Sequence, residues 1–380
     1  MTKKAIVAEK TLILGEFVAD HAVIIENDLI IDLLPSESIP NDVSIDNYSK
    51  KLLVPGFIDI QVNGGGGVLF NDDPSVDTIK CIAKAHRSFG TTAFLPTLIS
   101  DTLEKVEAAI AAVDEAIKQG VPGVIGIHIE GPFLNEEKSG IHDASMIREL
   151  RPKDVDLLSS LKHGKTLVTL APEKNDHAFI SELVKRGVVV AAGHTNATYE
   201  QTIDAIEAGV TGFTHLFNGM SAFQSRAPGV VGAAFESTKT WAGIIADGHH
   251  VHPASLKHAI NAKGVDKSVL VTDAMPTVGS EKKEFWLGRE HIKVKEGKCA
   301  NEDGSLAGSD LDMVSAVKYT HQTVGFSFKQ ALAMASCSPA CAVGVEGNMG
   351  TIAKGNKANL VLLDDAIEVS KVWIEGVHYL

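Results

Sequence analysis

Eight short apolar runs, rich in β-branched residues, alternate with amphipathic helical stretches, and this alternation constrains the fold more than any other feature. The runs cover residues 52–63, 91–98, 123–131, 165–173, 187–195, 209–218, 241–250 and 268–274. Strands that alternate with helices form parallel sheets with helical crossovers, and eight such units close into a barrel. The sequence therefore predicts an α/β fold, a (β/α)8 TIM-like barrel.

Short alternating strands are also predicted at both ends of the chain, in residues 5–50 and 358–378. Neither segment is long enough to form a stable sheet alone, so we expect the two to pair. The predicted organisation is a small β-sandwich domain built from residues 1–53 plus 348–380, and a catalytic barrel built from residues 54–347.

Charge and hydropathy exclude several classes of partner. The formal net charge of −13 argues against nucleic acid and anionic membranes, because both are bound by basic surfaces. No apolar run reaches the roughly 18 residues of a membrane helix, and the first ten residues lack the apolar stretch of a signal peptide. These features predict a cytoplasmic protein. The four cysteines form no CxxC pair and are expected to be reduced.

Polar side chains occur at the ends of almost all the predicted barrel strands. They are Gln61, Asn63, His128, Glu130, Glu173, His194, His215, Asp247, His249, His250 and Asp273. A single such residue is commonly a buried group satisfied by hydrogen bonds. The carboxyl ends of barrel strands meet on one face, where active sites of such barrels lie, so the repeated placement predicts an active site there.

Glu130, His194 and His215 end the third, fifth and sixth runs and form a candidate metal site. One carboxylate and two imidazoles hold a catalytic divalent ion and leave a position open for water. Zinc is the first expectation, and iron, cobalt or manganese also suit this ligand set. Asp273 ends the eighth run and could move the proton of that water. It could instead cap a helix or hold a histidine ligand in one tautomer.

Six motifs in order, covering nearly the whole chain, carry a family resemblance. They are "IHIEGPFL", "AAGHTNAT", "THLFNGM", "IIADGHHV", "LVTDA" and "GSLAGS". Together they resemble the N-acetylglucosamine-6-phosphate deacetylases, a family within the amidohydrolase superfamily. The resemblance implies hydrolysis of the acetamide of N-acetyl-D-glucosamine 6-phosphate by a metal-activated water, giving D-glucosamine 6-phosphate and acetate in amino-sugar catabolism and recycling.

The resemblance also implies roles for individual residues. Glu130, His194 and His215 would be the metal ligands, Asp273 the general base and then the general acid, and His142 the donor to the amide carbonyl. The sugar phosphate would be held by Ile141, His142, Asn218, Gly219, Arg226, His250, Leu306, Ala307, Gly308 and Ser309. Arg226 would supply the cation that phosphate needs in an acidic protein. The family is typically dimeric, which implies a homodimer with the phosphate site near the subunit interface.

Gln61 and Asn63 stand where many members of the superfamily carry His-x-His ligands for a second metal. Amides are poor ligands for a transition ion compared with imidazoles, so we expect one ion per chain. The two amides would orient water or neighbouring groups by hydrogen bonds.

Three other functions stay open on sequence grounds. The substrate could be the galactosamine epimer or another N-acyl amino-sugar phosphate, the chain could be a cyclic-amide hydrolase of dihydroorotase type, or it could be a catalytically silent scaffold. Six further histidines are expected to be ordinary, largely solvated residues: His163, His177, His249, His252, His258 and His291.

Overall fold

The computed structural model describes residues 3–380, so the first two residues of the predicted small domain lie outside it. The strands are β1 (Lys4–Ile13), β2 (Glu16–Ala19), β3 (His21–Glu26), β4 (Leu29–Pro35), β5 (Ser44–Pro55), β6 (Phe57–Val62), β7 (Gly64–Gly65), β8 (Val68–Leu69), β9 (Thr91–Ile99), β10 (Gly126–Glu130), β11 (Lys165–Leu170), β12 (Val189–Ala192), β13 (Gly212–Phe213), β14 (Trp241–Ile244), β15 (Ser268–Leu270), β16 (Glu284–Leu287), β17 (Glu290–Lys295), β18 (Lys298–Ala300), β19 (Leu360–Leu363), β20 (Val369–Ile374) and β21 (Val377–His378). The α-helices are α1 (Val76–Arg87), α2 (Leu103–Lys118), α3 (Pro152–Leu158), α4 (His177–Lys185), α5 (Tyr199–Ala208), α6 (Gly229–Glu236), α7 (Pro253–Lys263), α8 (Met313–Tyr319), α9 (Phe328–Ala335) and α10 (Cys337–Ala342).

Eight parallel strands form the barrel sheet, in the order β6, β9, β10, β11, β12, β13, β14 and β15. A parallel bridge between Val62 and Ala274 joins the first strand to the segment after the last, and the backbone N–H of Asn63 donates to the carbonyl of Ala274 at 3.0 Å. Each predicted apolar run contains one of these strands, so the predicted barrel is confirmed. Its closure brings all the carboxyl ends of the strands to one rim.

The crossover helices start and stop at the signals their sequences carry. In α5, the side chains of Thr198 and Gln201 form a capping box, and the helix ends at Gly209 with a left-handed φ of 118°. In α1, the Ser75 side chain accepts from the backbone N–H of Thr78. A large apolar cluster that includes Ile79 packs these helices against the strands. None of the helices in residues 3–380 is long and apolar enough to cross a membrane.

Strands from both ends of the chain form the separate small domain, as predicted. Its eight-stranded sheet has the order β21, β20, β19, β5, β1, β3, β4, with β2 paired to β1. The sheet packs on an apolar cluster that contains the fully buried Trp373. Only Gly56 separates β5 from β6, so the sheet leads directly into the barrel. The boundaries 1–53, 54–347 and 348–380 stay a prediction.

A three-stranded antiparallel sheet, β16 to β18, follows the last barrel strand and was not predicted. Phe285, Ile292 and Cys299 on its apolar face pack in one cluster with Met275 and Ala307. The cluster also places the sheet beside the segment that follows Asp273. The sheet therefore covers one side of the barrel rim.

His86 of α1 supports the glycine segment that follows β6. Its Nε2 donates to the carbonyl of Gly64 at 2.8 Å, while its Nδ1 is buried without a hydrogen-bond partner. A Cβ at Gly65 would lie 2.9 Å from the imidazole, so only glycine allows this close approach. Burial lowers the pKa of His86 to about 4, because the imidazolium would lose its hydration.

We expect His86→Gln to reduce the loss in free energy of unfolding that occurs between pH 7 and pH 5. As pH falls below 6.5, the unfolded chain protonates at His86 and the folded chain does not, which costs about 2 kcal/mol at pH 5. Glutamine keeps an N–H donor for Gly64 but cannot take up a proton. Urea unfolding at pH 7 and pH 5 measures the difference. An equal loss of stability in wild type and variant would contradict the assignment.

Candidate active site and metal centre

Glu130, His194 and His215 meet at the rim of the barrel, where the sequence predicts a metal site. Glu130 is the last residue of β10, and the histidines follow β12 and β13 by two residues each. Nε2 of His215 lies 3.0 Å from Glu130 Oε1 and 3.0 Å from Nε2 of His194, and His194 Nε2 lies 3.5 Å from the same carboxylate oxygen. All three side chains are buried. The structure thus brings the three predicted ligands together.

The tautomer of His194 suits the binding of a cation. Nδ1 of His194 donates to the backbone carbonyl of Lys138 at 2.7 Å, so Nε2 carries a lone pair toward Glu130 and His215. A carboxylate and two imidazole nitrogens that converge within 4.8 Å are the donors that divalent transition ions take. A cation between them satisfies all three atoms at once, so the residues present fit a metal ion.

The backbone at this rim is strained at the functional positions. His194, His215 and Asp273 have left-handed φ angles of 47°, 31° and 52°. Such conformations cost roughly 1–3 kcal/mol each for residues other than glycine and persist only where the surrounding structure enforces them. Because all three strained residues are predicted site residues, the strain indicates that the rim is a functional centre.

Gln61 and Asn63 bind the two carboxylates of the site. The Gln61 amide nitrogen lies 3.2 and 3.1 Å from the oxygens of Glu130 and 3.2 Å from Asp273 Oδ1. The Asn63 amide nitrogen donates to the same Asp273 oxygen at 2.6 Å. Both amides therefore place N–H donors where negative charges converge.

Burial and mutual charge shift the pKa values of these groups. Burial opposes ionisation of Glu130, but the neighbouring imidazoles of His194 and His215 outweigh it and lower the pKa of Glu130 well below its usual value. Burial also opposes a charge on His215, yet Glu130 raises the pKa of His215 above normal. For Asp273, burial and then the charge of Glu130 raise the pKa.

His142 presents a hydrogen-bond donor to the cavity that the three candidate metal ligands line. The backbone N–H of Ser100 donates to Nδ1 of His142 at 3.2 Å, and the Ser100 hydroxyl lies 2.8 Å from it. An accepting Nδ1 leaves the proton on Nε2. Burial, and then the neighbouring His194, lower the pKa of His142 to about 3, so the ring is neutral. The available group is therefore an N–H that can bind an oxygen atom.

A cavity of about 190 Å³ at the rim contains most of the predicted site residues. Its lining includes the metal-site group and Asn63, Asp273, Ile141, His142, Asn218, Gly219, His250, Leu306 and Gly308. A larger cavity of about 800 Å³ adjoins it and shares Ile99, Gly140, Ile141 and His142.

Three predicted substrate-binding residues lie outside this lining. Ala307 is fully buried in the cluster under the three-stranded sheet. Ser309 donates its hydroxyl to the carbonyl of Thr272, and its backbone N–H donates to the carbonyl of Asp273, so it supports the backbone at Asp273. Arg226 is exposed on the loop after Met220, and no hydrogen bond or ion pair holds its guanidinium within residues 3–380.

His250 is held in one tautomer by Asp247. Oδ1 of Asp247 accepts from the backbone N–H groups of His249 and His250, and Oδ2 accepts from Nδ1 of His250 at 2.6 Å. Burial opposes the charge on Asp247, but the hydrogen bond and charge of His250 lower its pKa, so it is a carboxylate. A carboxylate can only accept, and Nδ1 of His250 therefore carries a proton.

Sequence reasoning missed Ser100 and Asp59, and it gave no role to Asp247 or Glu173. Asp59 is fully buried below Gln61, its Oδ2 accepts from the Thr272 hydroxyl at 2.5 Å, and burial raises its pKa to about 7. Asp59 precedes Gln61 by two residues and so shares its face of the strand, which is a usable signal. Ser100 follows the second barrel strand, whose end carries no predicted site residue.

The other histidines behave largely as expected. His163, His249, His252 and His258 are exposed, and His177 and His291 are half-buried. His128, by contrast, is a core residue whose Nε2 lies 2.7 Å from the Thr169 hydroxyl. It is a satisfied buried histidine below the site.

Comparison with known proteins decides the family. Residues 52–378 match the amidohydrolase family. The chain belongs to this family. This amidohydrolase is 48% identical over 325 residues, 85% of this chain and 82% of the relative, to N-acetylgalactosamine-6-phosphate deacetylase of Shewanella sp. (strain ANA-3). It is 34% identical over 360 residues, 94% of each protein, to N-acetylglucosamine-6-phosphate deacetylase of Haemophilus influenzae.

A solved structure agrees in fold over nearly the whole length. The N-acetylglucosamine-6-phosphate deacetylase of Pasteurella multocida superposes with a TM-score of 0.96 at 34% identity, covering 99% of both chains. The barrel and the small domain are therefore shared with a deacetylase of this family.

We expect Asp247→Asn to reverse the tautomer of His250. The asparagine oxygen stays with the two backbone N–H groups, so its NH2 faces Nδ1 and the imidazole proton moves to Nε2. Imidazole 15N NMR distinguishes the two tautomers. The exposed Asp266→Asn is the control for loss of one negative charge. A variant that keeps its proton on Nδ1 would contradict the assignment.

Proposed function

We propose that this amidohydrolase removes the acetyl group from an N-acetylhexosamine 6-phosphate, with N-acetyl-D-glucosamine 6-phosphate as the first substrate. The observation that carries the proposal is the shared cavity. The Glu130, His194 and His215 group, the carboxylate of Asp273 and the N–H of His142 all line it. The names of the curated relatives support the substrate class.

A divalent ion held by Glu130, His194 and His215, zinc in the first place, would supply Lewis-acid polarisation of the amide carbonyl and make water a better nucleophile near neutral pH. Asp273 accepts a proton from the attacking water and passes it to the leaving amine, which departs as the C–N bond breaks. Asn63 and Gln61 hold the Asp273 carboxylate in place for both transfers. The products are acetate and the free amino sugar phosphate.

His142 stabilises the charge that develops on the amide oxygen. Its Nε2 proton is fixed by the two contacts of Nδ1 with Ser100. A donor already oriented toward a developing oxyanion lowers the barrier because it needs no reorganisation during the reaction. The ring acts as a neutral donor. Its low pKa keeps it neutral, so it carries no positive charge that would compete with the metal cation for negative groups.

The sugar phosphate lies toward Asn218, Gly219 and His250 in this proposal. Arg226 sits on the loop that follows Gly219 but does not line the cavity of its own chain. We propose a homodimer in which Arg226 reaches the phosphate in the partner's cavity. Phosphorylated sugars are retained inside cells, which supports a cytoplasmic location.

The galactosamine epimer is the second candidate substrate. The specific observation in its favour is the 48% identity to the Shewanella deacetylase, against 34% for the Haemophilus protein. The two sugars differ at one hydroxyl, so a single site can process both at different rates.

The direct test is acetate release by chelator-stripped protein after each divalent metal is added back. The substrates are both epimers as 6-phosphates and unphosphorylated N-acetylglucosamine. We expect metal-dependent release that favours the glucosamine 6-phosphate derivative. Asp273→Asn should bind metal and substrate but lose most turnover, because an amide cannot accept the proton.

Either of two results would overturn the proposal. One is the absence of acetate release with any metal, on protein shown to be folded and metal-loaded. The other is near-normal turnover by Asp273→Asn, which would remove this residue from the mechanism. Preference for the galactosamine epimer would instead select the second candidate.

We expect Arg226→Ala to raise KM for phosphorylated substrate far more than for the unphosphorylated sugar, because the guanidinium contacts only the phosphate. Arg186→Ala is the control, since Arg186 pairs with Asp156 and Glu182 on the surface. Equal effects on both substrates would take Arg226 out of the phosphate site. Mixed dimers of Arg226→Ala and Asp273→Asn chains test whether the arginine acts in the neighbouring subunit.

A further inference from the structure

Glu173 is a half-buried carboxylate at the rim that the proposed chemistry does not use. It lies in the 3-10 turn Pro172–Lys174, directly after β11. Its Oε1 accepts from the side-chain amide of Asn135 at 2.8 Å and from the backbone N–H of Asn196 at 2.7 Å. Its Oε2 accepts from the hydroxyl of Thr195 at 2.5 Å. One carboxylate thus collects three donors from two other loops.

Those two loops both hold His194. Thr195 and Asn196 follow His194 directly in the chain, and the backbone N–H of Asn135 donates to the His194 carbonyl at 2.9 Å. The backbone N–H of Lys138 in turn donates to the carbonyl of Asn135 at 2.9 Å. This matters because the Lys138 carbonyl is the group that accepts the Nδ1 proton of His194. Glu173 therefore anchors both the backbone of His194 and the loop that orients its ring.

His194 needs such support because its backbone is strained. Its φ of 47° lies in the left-handed region, which residues other than glycine adopt mainly where the surrounding structure enforces it. Thr195 and Asn135 are buried, so their donors have no access to water as an alternative partner. Without the carboxylate, the loop would be expected to relax to ordinary backbone angles and turn Nε2 away from Glu130.

We propose that Glu173 is a positioning residue that holds His194 in the geometry required for metal binding, and that it does so by tying the loops after β10 and β12 together. The inference rests on the metal site of the proposed function. Glu173 contacts neither the ion nor the substrate in this account. Its effect reaches the site through Asn135, Thr195 and the Lys138 carbonyl.

The positioning role of Glu173 depends on where its acceptor oxygens lie and not on its charge. In Glu173→Gln the amide oxygen can keep Asn135 and Asn196, and its NH2 can donate to Thr195, whose hydroxyl rotates to accept. Glu173→Ala removes all three acceptor contacts. The two variants therefore separate a positioning role from a purely electrostatic one, because both lose the negative charge.

The experiment measures Zn2+ affinity by competition with a metal indicator, and the visible absorption of the Co2+-substituted protein, in chelator-stripped full-length chains. We expect Glu173→Ala to bind Zn2+ about 10- to 100-fold more weakly, the range found when residues that orient metal ligands are removed. Its Co2+ bands should shift, because ligand geometry sets them. Glu173→Gln should restore affinity to within about threefold of wild type.

Glu182→Ala is the matched control. It removes one carboxylate from the neighbouring helix α4, where Glu182 pairs with Arg186 at the surface, and it should leave both readouts unchanged. If metal-free Glu173→Ala does not fold, as judged by its thermal unfolding, Asn135→Ala is read by the same criteria. That variant removes the side-chain link between Glu173 and the loop after β10.

Wild-type affinity and unchanged Co2+ bands in folded Glu173→Ala would overturn the inference. Equal weakening in the Ala and Gln variants would overturn it as well, by assigning the effect to charge. Failure of the wild-type chain to bind Zn2+ or any other divalent metal would reject the proposed function and this inference together. Metal binding and acetate release by wild type, with a neutral Glu173→Ala, would reject this inference alone.

Discussion

The burial of two carboxylates at the mouth of the barrel is the constraint on which the rest of the site depends. Glu130 and Asp273 are 2% and 9% exposed, and like charges so placed oppose each other's ionisation. Isolated buried charges cost several kcal/mol, so partners must surround them. The imidazoles of His194 and His215 and the amide of Gln61 provide these partners. A divalent cation held by Glu130 and the two imidazoles would complete the charge balance.

The closure of the barrel sets the positions of these groups. The backbone N–H of Asp273 donates to the carbonyl of Gln61 at 3.0 Å, so the first strand and the segment after the last strand are joined at Asp273. Asp59 reinforces the same junction of the barrel, because its carboxylate accepts a hydrogen bond from the hydroxyl of Thr272. Gln61 lies in β6 and Asp273 follows β15 by three residues, and the backbone hydrogen bond between them holds the two residues in a fixed relative position.

Periodicity made the barrel and the metal-site group predictable from the sequence. Alternating strands and helices predicted the barrel, and the barrel placed Glu130, His194 and His215 on one rim. Contacts that depend on the path of a loop could not be predicted this way. The Lys138 carbonyl at Nδ1 of His194 is one example, and the Ser100 contact that fixes the proton of His142 is another. Left-handed backbone at non-glycine residues likewise has no local signal, since tertiary contacts impose it.

The central claim is the proposal that this hydrolase binds one ion per chain, with Gln61 and Asn63 donating hydrogen bonds to Glu130 and Asp273 and not binding a second ion. The most direct test is metal content per chain, measured on fully loaded protein that releases acetate. The account predicts one ion, bound by Glu130, His194 and His215, and no further ion as metal is increased. Two ions per chain in the active protein would contradict it.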